Sequence, residues 1–125
     1  MIDAIANIVI PITDQDRAIT FYRDVLGLEI RADYPMGPGV RWVELAPAGE
    51  RTTVALVAPR GDMWSSVGGP TNISLGCSQI VEEHERLGAM GVDVDDRILE
   101  LGTGIPRMFR LRDPDGNILQ IVEAR

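Results

Sequence analysis

The sequence runs through the same pattern twice. Asn7 precedes Gly27 by nearly the interval that separates Asn72 from Gly91, and Gly27-Leu-Glu-Ile is echoed by Gly91-Val-Asp-Val. Arg41-Trp-Val-Glu-Leu45 matches Arg107-Met-Phe-Arg-Leu111, and Val54-Ala-Leu-Val57 matches Leu119-Gln-Ile-Val122. A repeat this long makes each half one supersecondary unit. Each half reads as strand, helix, then three strands. A four-stranded sheet with one helix covers only one of its faces, so the other face needs a partner. This pattern predicts module one over about 1–58, a connector at 59–70 and module two over about 71–125, within a single domain. A length of 125 residues suits one domain with a core of its own.

The last hairpin is the clearest local signal. In Arg110-Leu-Arg-Asp-Pro-Asp-Gly-Asn-Ile-Leu-Gln-Ile-Val122, Pro114 presets φ, the Asp residues accept local backbone hydrogen bonds and Gly116 supplies positive φ. Thr13 and Asp14 are N-cap candidates for helix one, which runs to about Leu26 with Ala18, Phe21, Tyr22, Val25 and Leu26 as its apolar stripe. Gly27 fits the left-handed residue that ends it. Strands are expected at 5–12, 28–32, 40–45, 52–57, 71–77 and 92–99, with 34–39 a turn-rich connection. Helix two is expected from about Gln79 to Met90, with Ile80, Leu87 and Met90 as its apolar contacts. Trp64, in the connector, is expected to pack on something.

Alternation assigns the faces. Away from the helices lie Asn7 and Val9; Trp42 and Glu44; Thr53, Ala55 and Val57; Asn72, Ser74 and Gly76; Met108 and Arg110; Gln120 and Val122. The facing of the strand that carries Trp42 and Glu44, and of its counterpart with Met108 and Arg110, is the least determined, because one bulge would reverse it.

Composition excludes several functions. All 12 basic residues are arginine, which rules out Schiff-base chemistry and a P-loop. A net charge of -7 argues against nucleic acid as a partner. No apolar run approaches a membrane span, and the start lacks a signal-peptide pattern. Cys77 is the only cysteine, so no internal disulfide forms and a reducing, cytoplasmic setting is expected. Cys77 faces the helix side and reads as a small buried hydrophobe. His84, the only histidine, reads as a boundary residue on a solvated helix among Glu82, Glu83 and Glu85. Asp93, Asp95 and Asp96 lack the glycine-punctuated loop of a calcium site.

Thr13-Asp14 through Phe21-Tyr-Arg-Asp-Val-Leu-Gly-Leu28, together with Asp113-Pro-Asp-Gly-Asn-Ile-Leu-Gln-Ile-Val-Glu123 and the repeat, resembles the vicinal oxygen chelate superfamily. This is also called the glyoxalase/bleomycin-resistance/dioxygenase family, and the likeness covers essentially the whole chain. It implies an α+β fold of two tandem βαβββ modules whose sheets pair into a curved, half-open barrel. The ligand or metal site lies in the concave face, helices lie outside, and the protein is often a homodimer. Metal-dependent members place His or Glu at four positions that fall here on Asn7, Ala55, Asn72 and Gln120. Three amides and a methyl offer a divalent transition metal no imidazole and no charge compensation. The resemblance therefore implies a pocket without a catalytic metal or other cofactor, which binds a small organic ligand.

Asn7, Trp42, Glu44, Trp64, Asn72, Ser74, Met108, Arg110 and Gln120 are the candidate ligand-binding residues. Trp42, Met108 and Trp64 either form a stacking wall or fill the barrel. Glu44 and Arg110 either contact ligand, with Glu44 the one catalytic candidate, or pair with each other or with solvent. Sequestration of a small molecule is the leading reading. A lyase, isomerase or dioxygenase with an atypical or metal-independent site is the alternative, and a dimer with no ligand is a third.

Overall fold

Each half of the chain builds the same sheet. In the first, β1 (Asn7–Pro11) leads to α1 (Gln15–Thr20), and β2 (Glu29–Gly37), β3 (Val40–Ala46) and β4 (Thr53–Val57) follow. In the second, β5 (Gly69–Cys77), α2 (Ile80–Ala89), β6 (Asp93–Val94), β7 (Met108–Arg112) and β8 (Asn117–Glu123) repeat the order. The strand orders are β1-β4-β3-β2 and β5-β8-β7-β6. The outer pairs β1–β4 and β5–β8 are parallel and the rest antiparallel. The structure, a computed structural model, describes residues 1–124. They divide into two units between Gly68 and Gly69. The two βαβββ modules expected from the repeat are present. No helix among the described residues is long and apolar enough to cross a membrane.

In each unit one sheet face packs on the helix. Ile10, Val43, Leu45 and Leu56 are fully buried in the first, with Ala18, Ile19, Phe21 and Tyr22 covering them. Phe109, Leu111 and Leu119 do the same in the second, with Ile80 and Leu87 of α2 buried as well. Each such large side chain contributes about 1.5–3 kcal/mol by leaving water. Asp14 caps α1, accepting from the Arg17 N–H at 3.1 Å. Gly91, at φ 81°, ends α2 in a Schellman closure in which Val92 N–H donates to Leu87 O at 3.0 Å.

Helix one differs from helix two by one residue. Ser74 and Val9 hold equivalent positions opposite Gln120 and Ala55. From Val9 to Gly27 is 27 − 9 = 18 residues, whereas from Ser74 to Gly91 is 91 − 74 = 17. The extra residue is taken up as a π-helical turn over Phe21–Val25, where Leu26 N–H reaches Phe21 O at 3.1 Å. The closing bond widens to match, from Leu28 N–H to Tyr22 O.

Four expectations need correction. β2 continues to Gly37 instead of stopping near Ala32, leaving only residues 38–39 as the turn. It is an edge strand, so Pro35 breaks no ladder, and a bulge follows it. β6 is only Asp93–Val94, not 92–99, because past the Asp95 N–H, which still donates to Arg110 O at 2.9 Å, the backbone meets β7 again at Leu99, as a single bridge to Met108. Met90 sits past the last helical turn and is 52% exposed, so it is no core contact. β5 starts at Gly69, two residues before the expected Thr71.

Candidate functional sites on the open sheet faces

The face of the first unit's sheet that turns away from α1 carries an aromatic and acidic group. Val43 and Leu45 are fully buried under the helix, so Trp42 and Glu44 emerge on the opposite face, as alternation requires. Trp42 Nε1–H donates to Glu44 Oε2 at 2.7 Å. The Thr53 hydroxyl, on the neighbouring β4, donates to Glu44 Oε1. Both carboxylate oxygens are thus engaged. Trp64 lies against Trp42 with ring centroids 5.9 Å apart and planes tilted by 56°, so the connector tryptophan does pack, as expected. It stands at φ 56°, a left-handed conformation that costs a side-chain-bearing residue about 1–2 kcal/mol. Asn7 is half-buried and pairs in register with Thr53, while Ala55 pairs with Glu44 and is fully buried.

The uncovered face of the second unit holds a cleft of about 340 Å³. Asn72 and Ser74 of β5, Arg110 of β7 and Gln120 of β8 form its polar wall, and Pro70, Ile73 and Ile118 its apolar part. Gln120 Nε2–H donates to Ser74 Oγ at 3.0 Å. Asn72, at φ 60°, sits in the register shift between Pro70 and Ser74. Asparagine tolerates that conformation better than most residues. Met108 is half-buried one alternation step from Arg110 and does not line this cleft.

Glu44 and Arg110 each have partners inside their own unit. Arg110 Nε–H donates to Asp95 Oδ2 at 3.0 Å, and Arg112 Nη1 donates to Asp95 Oδ1 at 2.8 Å. Burial is the largest single influence on the Asp95 carboxyl and pushes its pKa up. The guanidinium groups of Arg112 and Arg110 together outweigh it and hold the carboxyl below its ordinary range. The sequence placed Thr53 on this face and weighed Asp95 only as part of an acidic run, without linking either to Glu44 or Arg110, and it did not single out Arg112. Position could have found Asp95, because it follows β6 directly and its N–H donates to the Arg110 carbonyl at 2.9 Å.

His84 is half-buried at the boundary of α2, as the helix pattern suggests, and it has partners there. Its Nε2–H donates to the Asp95 carbonyl at 2.6 Å and its ring meets Phe109 edge-on at 4.8 Å. Cys77 is half-buried, and burial raises its thiol pKa, the opposite of what a nucleophile needs.

The side chains at Asn7, Ala55, Asn72 and Gln120, where the resemblance implies a metal site, do not fit a divalent transition metal. Asn7, Asn72 and Gln120 offer neutral amides, and Ala55 offers no donor. Among the described residues, no three His, Cys, Asp or Glu side chains gather as a metal-binding group.

Paired βαβββ units with open sheet faces define a class, and the comparisons agree. The sequence model of the Glyoxalase/Bleomycin resistance protein/Dioxygenase superfamily matches residues 4–121, and the chain belongs to that superfamily. It is similar to the uncharacterized protein YetH of Bacillus subtilis (strain 168), 30% identical over 98% of this chain and 100% of that one. A crystal structure of a superfamily member from Sphaerobacter thermophilus DSM 20745 is 33% identical, with a TM-score of 0.88 over 98% of each chain. TnmS3, an antibiotic binding protein from Streptomyces sp. CB03234, is 30% identical, with a TM-score of 0.80 over 99% of this chain and 98% of its own.

Proposed function

We propose that this protein binds a small organic molecule on its open sheet faces, without a catalytic metal. The observation that carries this is the substitution set Asn7, Ala55, Asn72 and Gln120 at the positions where metal-using relatives place charged or imidazole ligands. In place of a cation site, the second unit offers hydrogen-bonding groups around a cleft of a size suited to a small ligand. The first unit offers the paired indoles of Trp42 and Trp64. The likeness to an antibiotic binding protein points the same way. Glu44, with both oxygens accepting hydrogen bonds, is assigned to orienting Trp42 and not to proton transfer.

Native mass spectrometry of protein from its own source tests the reading, since it reports bound metal, bound organic molecule and the expected homodimer together. A copurifying organic ligand, or saturable calorimetric binding of aromatic or glycopeptide drugs, supports it. One zinc, nickel, iron or manganese ion per chain, lost on substitution of Asn72 or Gln120, would overturn it.

A further inference from the structure

Among the described residues, Arg110 is the one charged side chain lining the second unit's cleft, and no carboxylate lines it. One edge of its guanidinium is taken by Asp95, through Nε at 3.0 Å. Among the described residues nothing accepts from its Nη nitrogens, and the side chain is 53% exposed. Asp95 is itself anchored. Arg112 holds its other oxygen, its N–H donates to the Arg110 carbonyl, and its carbonyl accepts from His84. Two guanidinium groups therefore share one inner carboxylate. Asp93 approaches Arg112 only at 3.9 Å, with its side chain 75% exposed. The Nη side of Arg110 is thus a cationic edge toward the cleft in a chain whose net charge is -7. Beside it, Ser74 accepts from Gln120, so its own hydroxyl hydrogen is available to the cleft.

We propose that the cleft grips its ligand by an oxyanion, a carboxylate or a phosphonate on a small organic molecule. Arg110 supplies the fork, and Asp95 is the positioning residue that holds it in place. A guanidinium with two free Nη nitrogens matches the two oxygens of such a group. Fixing the side chain beforehand removes part of the ordering cost of binding. The inference rests on the small-molecule reading above and adds the ligand's charge to it.

The test is an NMR titration of the intact protein with benzoate, phenylphosphonate and neutral benzamide. The arginine Nε–H signals and the backbone amides of Ser74 and Gln120 are followed. Benzoate or phenylphosphonate is expected to shift Arg110, Ser74 and Gln120 saturably, at least tenfold tighter than benzamide. Which of the two binds tighter identifies the oxyanion. Arg110→Gln should erase the preference. Asp95→Asn should cut the anion-to-benzamide ratio at least threefold, which a merely structural residue would leave unchanged while weakening all three probes alike. Should Arg110→Gln fail to fold, that ratio in Asp95→Asn decides. Equal binding of benzamide at the cleft overturns the anion inference and leaves the small-molecule reading standing. Shifts at the exposed Arg51 and Arg97 as large as at Arg110 overturn it as well. Silence of the cleft toward all three probes overturns it together with any ligand role for this face.

Discussion

Asp113 closes the final hairpin with its side chain. Its Oδ1 accepts from the backbone N–H groups of Asp115 and Asn117, each at 2.9 Å, and its Oδ2 from the Asn117 side-chain amide at 2.9 Å. Both side chains are buried, Asp113 to 6% and Asn117 to 1% exposure, so water cannot replace a lost partner. Asp113→Ala is expected to cost about 2–4 kcal/mol, because it strands buried donors instead of merely deleting bonds. Urea unfolding measures this, and a loss below about 1 kcal/mol would show that the turn is held by Pro114 and Gly116 alone. Gly116, at φ 80°, occupies the left-handed position that Asp-Pro-Asp-Gly announces. What the local pattern could not announce is the depth at which Asp113 and Asn117 lie. Nothing in the alternation of β8 separates a turn carboxylate in water from one sealed under the sheet.

At the scale of elements, period-two alternation was enough to place Trp42 and Glu44 against Val43 and Leu45, because no bulge interrupts the middle of β3. Gln120 fell on its face for the same reason, since β7 and β8 pair without a shift, and Ser74 takes its place opposite Gln120 only after the register shift that follows Pro70. Legibility failed where a strand bulges or its ladder lapses. The bulge at Pro35 let β2 run through a stretch rich in turn formers, and past the Asp95 N–H the chain after β6 meets β7 again at the Leu99 bridge. The candidate site was readable as a set of residues on open faces. Its wiring was not, since the Thr53 hydroxyl that holds Glu44 and the Asp95 carboxylate that holds Arg110 come from other segments of the chain. His84 shows the difficulty most plainly. On its own helix it has acidic neighbours, yet it ties α2 to β6 through the Asp95 carbonyl and packs on Phe109. His84→Ala is expected to cost about 2–3 kcal/mol from the lost hydrogen bond, ring contact and packing. It should also broaden the Arg110 Nε–H signal as the end of β6 loosens. Thermal unfolding and the NMR spectrum check both, and an unchanged melting temperature would show that the contacts of His84 add nothing to the fold.

For the molecule as a whole, acid and metal are the informative variables. Arg41 holds the Asp33 carboxyl below its ordinary 3.8, and the guanidinium groups around Asp95 do the same there against the pull of burial. A carboxyl depressed on folding stabilises the native state above its unfolded pKa. That stability is lost as pH falls through the folded value. The acid limb of stability should therefore steepen below about pH 4, and Asp95→Asn should flatten it. Metal separates two accounts of the same fold. A transition metal that binds only the native state adds RT ln(1 + [M]/Kd), about 2.7 kcal/mol at a hundredfold excess over Kd, and a chelator removes it. In a chain of 125 residues that amounts to a melting shift of roughly 10 °C. With amides and a methyl at the four relevant positions, the melting temperature is expected to be the same within about 1 °C in excess EDTA and in excess zinc, nickel or manganese. The same linkage makes any organic molecule gripped by Arg110 visible as a stabilisation that Arg110→Gln abolishes. Thermal scans with metal, chelator and ligand, on wild type and that variant, thus read the charge of the missing partner directly. A chelator-sensitive melting temperature would return the cation to this fold.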